Sequence, residues 1–112
     1  MLDARRMEVY SCFYSADLAA AREVSADIIT ETSYKQLLEE HPVYFFGRGS
    51  VKCSEVITHP NAHFIQGIEP SAAQMIRPAR DRLMNRQFED VAYFEPYYLK
   101  DFIATIPKKK VL

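Results

Sequence analysis

The chain has 112 residues, 48% of them hydrophobic and 26% charged, with a formal net charge of -1. That balance excludes a disordered chain and gives no reason to invoke nucleic acid or a membrane as a whole-molecule partner. One domain spanning 1–112 is expected, with an adequate but not large core. The two cysteines, Cys12 and Cys53, form no C-x-x-C motif, which points to a reducing compartment and small buried apolar side chains. No signal peptide is read, and no stretch approaches the ~20 apolar residues of a membrane span, so a cytoplasmic protein is expected. The charge is uneven: residues 77–112 are net basic and the rest net acidic. The basic end reads as a solvated helix face and a loose tail.

Met7 to Tyr14 is predicted as a strand. Both of its faces are largely apolar, so it belongs inside a sheet. Glu23 to Thr30 alternates and ends on β-branched residues, as an antiparallel return strand would. Ser33 is expected to cap a helix, with Gln36 completing a capping box and Tyr34, Leu37, Leu38 and His41 on one face. Pro42 stops that helix. Val43 to Phe46 is a short buried strand, followed by a glycine turn and a short helix from about Ser50 to Ile57. His59-Pro60-Asn61 turns the chain, and Ala62 to Ile65 is another strand. The longest helix is predicted over Ser71 to Arg86, with Ala72, Met75, Ile76, Ala79 and Leu83 on its apolar face. Pro78 inside it implies a bend, because it removes a bond to the Gln74 carbonyl at ~3 kcal/mol in an unrelieved interior. Residues 91–102, "VAYFEPYYLKDF", read as a docked extended tail. A hairpin followed by β–α units makes an α/β layered domain.

Three constellations are candidates for chemistry. His59 and His63 have H-x-x-x-H spacing, which binds metal on a helix. Here Pro60 interrupts it, and on an extended segment the two would stand ~13 Å apart at ~3.3 Å per residue. A turn histidine and a strand histidine are expected, with no metal site. Gly47-Arg48-Gly49-Ser50 follows a strand and opens a helix, where backbone N–H groups can cradle phosphate. It lacks the third glycine of the dinucleotide fingerprint, position 52 being lysine, and the GK[ST] of a P-loop. Asp3 lies beside Arg5 and Arg6, an exposed ion pair at a strand entrance. No nucleophile–base pair is apparent, so no catalytic residue is assigned.

"DARRMEVYSCFY" (3–14) resembles the "DAR…EVY" stretch that opens the second half of the TsaB (YeaZ) family. "YFFGRGSVKC" (44–53) is similar to that family's strand–glycine–helix segment, and "EPYYLKDF" (95–102) to its terminal "EP-x-YLR", with Lys100 in place of Arg. The resemblance runs in order from Asp3 to about Phe102. It implies a ribonuclease-H-like half of an actin-like ATPase fold, a mixed sheet with helices packed on it. The implied role is a non-catalytic scaffold in threonylcarbamoyladenosine modification at position 37 of tRNA. The implied partners are TsaD-like and TsaE-like proteins, with tRNA touched at most indirectly and no cofactor of its own. Gly47, Gly49 and Ser50 become a vestigial nucleotide turn.

The family's N-terminal half is absent from the match, so the chain is expected to begin mid-protein and, by itself, to associate as a homodimer through uncovered apolar surface. The alternative function is an enzyme: a metallopeptidase, after the family's old glycoprotease-like label, or a nucleotide hydrolase using the glycine turn.

Overall fold

The computed structural model describes residues 1–100. It is a mixed α/β arrangement with one antiparallel and one parallel sheet. The strands β1 (Leu2–Asp3), β2 (Glu8–Tyr14) and β3 (Ala20–Ile28) form an antiparallel sheet in the order β1-β2-β3. The two-sided strand is therefore central, as its apolar faces require. Register runs Asp3↔Val9 on one side and Val9↔Asp27 and Ser11↔Ser25 on the other. It then shifts on either side of Phe13, which comes opposite Arg22. The turn between β1 and β2 carries Arg5 and Arg6 at φ 70° and 48°, a left-handed conformation that non-glycine residues adopt at a cost.

Helix α1 (Lys35–Glu40) leads to β4 (Val43–Phe45), α2 (Ser50–Cys53) and β5 (Ala62–Phe64). Strands β4 and β5 are parallel, with Phe45 opposite Phe64. The two sheets meet at Met1, whose nitrogen donates to the Phe46 carbonyl at 2.7 Å and whose carbonyl accepts from Gly49 N–H at 3.2 Å.

The buried core is small: Val9, Ile29, Leu38, Phe45, Cys53 and Ile57. Each comes from a different turn or element, so the core is what brings β2, α1, β4 and α2 together. An aromatic ladder crosses it. Phe13 meets Tyr34 edge-on at 5.0 Å, Tyr34 stacks on Phe45 at 5.8 Å, and Phe45 stacks on Phe64 at 5.0 Å.

Helix α1 starts differently from its sequence signal. Tyr34 is the N-cap, at φ 61°, and no side chain caps the helix. The Ser33 hydroxyl accepts from Thr30 N–H at 2.8 Å, so it closes the preceding turn instead. The helix does stop before Pro42, with His41 extended.

The region after β5 departs most from the sequence pattern. A 3-10 turn (Ala72–Met75) precedes α3 (Ile76–Met84). Pro78 is thereby in the first turn of α3, where a missing N–H breaks no bond, and the predicted interior cost does not arise. None of the residues of the 3-10 turn or α3 is buried, so the predicted apolar face has no cover among the described residues. The aromatic segment is likewise open rather than docked: Tyr93, Tyr97 and Tyr98 are 80% or more exposed. Asp101 and Phe102, at the end of that predicted tail, lie outside the described residues.

Truncation should separate the two regions. Leu38→Ala removes a fully buried side chain and is expected to cost ~2–5 kcal/mol, whereas Leu83→Ala on α3 should cost less than ~0.5 kcal/mol. Urea-denaturation midpoints of the two variants check this; comparable losses would contradict the described core.

Candidate functional site

The glycine turn sits at the seam between the sheets. Gly47 has φ +88°, and a Cβ there would stand 2.4 Å from the Met1 carbonyl oxygen. Gly49 is in the right-handed region, at φ -70°. Its constraint is different: a Cβ would stand 2.8 Å from the Leu2 carbonyl carbon and oxygen. Both glycines are there because backbone lies against backbone. The Gly49 N–H donates to Met1, while Ser50 N–H and Ser50 Oγ both donate to the Gly47 carbonyl, at 3.0 and 2.8 Å. Gly47, Gly49 and Ser50 are thus brought together, with these donors directed into the chain itself. Helix α2 has four residues, too short for much of a dipole.

Lysine 52, on α2, gathers the start of the chain. Its Nζ donates to Asp3 Oδ1, to the Arg6 carbonyl at 2.5 Å and to the Glu8 carbonyl at 2.7 Å. Three ammonium hydrogens meet three acceptors. The Lys52 hydrogen bond holds the Asp3 carboxyl below its usual range. The expected pairing of Asp3 with Arg5 or Arg6 is replaced by this one: Asp3 takes only the Arg5 backbone N–H, at 3.3 Å. Glu8 in turn accepts Lys100 Nζ on both carboxylate oxygens at 2.8 Å, which raises the lysine's pKa. Segments 3–14, 44–53 and 95–100 therefore converge through two lysines.

A polar cluster that the sequence patterns did not reveal lies between β2, β3 and α1. Asp27 Oδ2 accepts from Ser11 Oγ at 2.5 Å, Tyr34 Oη at 2.7 Å and Arg22 Nη2 at 2.5 Å. Its Oδ1 accepts from Ser25 Oγ at 2.8 Å. Burial pushes the carboxyl up, but four donors outweigh it and hold its pKa at about 2. Burial, with Asp27 beside it, pushes the Tyr34 hydroxyl to about 12. The Arg22 guanidinium lies over the Phe13 ring at 4.7 Å. A carboxylate this acidic is a poor general base at neutral pH, and no histidine contacts Ser11. The chemistry the cluster supports is adhesion of β3 and α1 to β2. Its one sequence signal is the row Ser25, Asp27 at i and i+2 on a strand, facing Ser11 across the register.

Beside this cluster an open cavity of about 610 Å³ is lined by Phe13, Arg22, Tyr34, Lys35, Leu37 and Glu40, among others. A second, of about 800 Å³, lies against Gly47 and residues 68–78. His63 stacks on Tyr44 at 5.1 Å from its place on β5, and His59 Nδ1 accepts the Asn61 N–H at 3.2 Å in the turn. Among the described residues, no three His, Cys, Asp or Glu side chains come together as a metal site would require. No helix among them is long and apolar enough to cross a membrane.

No protein-family model, curated protein or solved structure matches this chain.

Two expectations follow from the geometry. Gly47→Ala and Gly49→Ala should each lower stability by ~1 kcal/mol or more, through backbone overlap with Met1 and Leu2. Thermal melts check this, and titration calorimetry with ATP should show no binding to lose. The second concerns pH. Because the folded-state pKa of Asp27 lies below its unfolded value of 3.8, its contribution is complete above that value and vanishes as pH falls through about 2. The size is on the order of 2 kcal/mol. Acid titrations of stability should lose this component in Asp27→Asn; an unchanged acid limb would contradict the assignment.

Proposed function

We propose that the chain is a non-catalytic scaffold domain of a TsaB-like protein, supporting a TsaD-like catalytic partner in threonylcarbamoyladenosine modification of tRNA, with a TsaE-like protein as a further partner. The observation that carries this reading is the convergence described above. Three segments far apart in sequence, each similar to a TsaB-family motif, meet at Lys52, Glu8 and Lys100.

An antiparallel three-stranded sheet and a parallel β–α–β pair, linked by the Met1 hydrogen bonds, are compatible with the finer fold reading, a ribonuclease-H-like half. A scaffold role agrees with the direction of the polar groups. Asp27, Ser11 and Tyr34 bind one another, and the donors of the glycine turn are held by the chain.

The test is complementation. Joined to the N-terminal half of a TsaB-like protein, the chain should restore threonylcarbamoyladenosine, measured by nucleoside mass spectrometry, in cells depleted of their own TsaB-like protein. It should also restore co-purification with the TsaD-like protein. A folded, expressed fusion that restores neither would overturn the proposal. Zinc-dependent cleavage of a glycoprotein, lost in His59→Ala, would favour the peptidase instead.

A further inference from the structure

Residues 84–98 expose what a folded chain ordinarily buries. Seven large apolar side chains between Met84 and Tyr98 are 60% or more exposed, and five of them are aromatic. The five rings alone offer on the order of 500–1,000 Å² to a partner, against the ~800 Å² per partner of a stable protein–protein interface. No residue of this stretch belongs to the buried core. Soluble monomers rarely leave so much apolar surface in one stretch, and where they do it marks a docking surface.

The charges around these side chains decide what docks. They are segregated along the chain. Between Ile76 and Phe88 stand four arginines and one aspartate, and between Glu89 and Tyr98 three acids and no base. Arg82 and Glu89 pair with each other at 2.8 Å. Arg77, Arg80 and Arg86 on the basic side, and Asp90 and Glu95 on the acidic side, have no ion-pair partner among the described residues. Arg77, Arg80 and Met84 fall on one face of α3, at i, i+3 and i+7. A nucleic acid or a uniformly acidic protein would satisfy one half and repel the other. A second copy lying antiparallel satisfies both. A two-fold axis that sets the arginines of one chain against the acids of its mate does the reverse at the other end. Residues 76–98 carry four bases and four acids in all, so two copies meet without net repulsion.

We infer that residues 77–98 are a homodimer interface. The Arg77, Arg80 and Met84 face of α3 packs antiparallel on the aromatic segment 88–98 of a second copy, and the two arginines meet its Asp90 and Glu95. This gives the expected homodimer a surface and a register. The core, the glycine seam and the Asp27 cluster lie within residues 1–65, so the interface can be altered without touching them.

Sedimentation equilibrium of the full chain from micromolar to millimolar concentration tests this. A monomer–dimer system with no larger species is expected, since a two-fold contact closes. Phe94→Ser with Tyr97→Ser should abolish the dimer. Arg80→Glu and Glu95→Arg should each weaken it by up to ~25-fold, because an exposed pair is worth up to ~5-fold and the symmetry repeats it. The two reversals combined in one chain should restore association. Melting temperatures at concentrations where the chain is monomeric should be the same in all variants, which separates loss of the interface from loss of the fold. A chain that stays monomeric at millimolar concentration would leave this surface to a different protein and overturn the inference. So would a dimer indifferent to the double serine variant, a double reversal that fails to restore association in a folded protein, or open-ended aggregation.

Discussion

The contact on which the structure depends is that of the Met1–Leu2 backbone with the turn from Gly47 to Gly49. A two-stranded sheet is marginal alone and needs a neighbour. Here the two sheets become neighbours because two glycines let main chain lie against main chain, closed by Met1 to Phe46 and Gly49 to Met1 hydrogen bonds. Everything else at the seam needs that approach. Lys52 reaches Asp3, Arg6 and Glu8 only because α2 begins directly after the turn. The aromatic ladder from Phe13 to Phe64 spans the same junction beneath it.

The polar cluster solves a second problem, that of attaching β3 and α1 to so small a core. Asp27 is half-buried, and such a carboxylate is costly unless its lone pairs are met. Ser11, Arg22, Ser25 and Tyr34 meet them. Tyr34 adopts a left-handed backbone while its hydroxyl reaches Asp27 and its ring stacks on Phe45. The same residue begins α1. A helix start, an ion cluster and the aromatic core are thus one constraint, which is why no side-chain cap is required there.

The part of the chain after β5 is organised differently. Among the described residues, 66–100 contribute nothing to the buried core, expose Met75, Ile76, Leu83 and a run of aromatics, and have their side-chain polar links to the rest in the ion pairs at Glu69 and Lys100. Weak attachment and exposed apolar surface belong together: a segment that buries little has little to hold it.

Much of the architecture was legible in the sequence, for local reasons. The two-sided apolar run of β2 demanded a central strand, Pro42 ended α1, and the β formers around Phe45 marked a strand before a glycine turn, although only Phe45 of it is buried and Tyr44 and Phe46 are exposed. Periodicity and breakers carry this information residue by residue. What they could not carry was partnership. Ser33 had two possible clients, a helix and a turn, and the turn took it. Asp3 had two arginines beside it in sequence and a lysine 49 positions away; the lysine holds it, because the left-handed turn gives Asp3 only a backbone N–H from Arg5. The periodic face of α3 promised cover that no described element provides. The sequence by itself determined the order of strands and helices from β2 onward and the stop at Pro42; it did not show the short β1, and it ran one helix over Ser71 to Arg86 where a 3-10 turn and α3 stand. Only the tertiary structure decided that two glycines serve the seam, that Asp27 gathers four donors, and that three distant segments meet at two lysines. Those are distances across the fold, and no spacing along the chain encodes them.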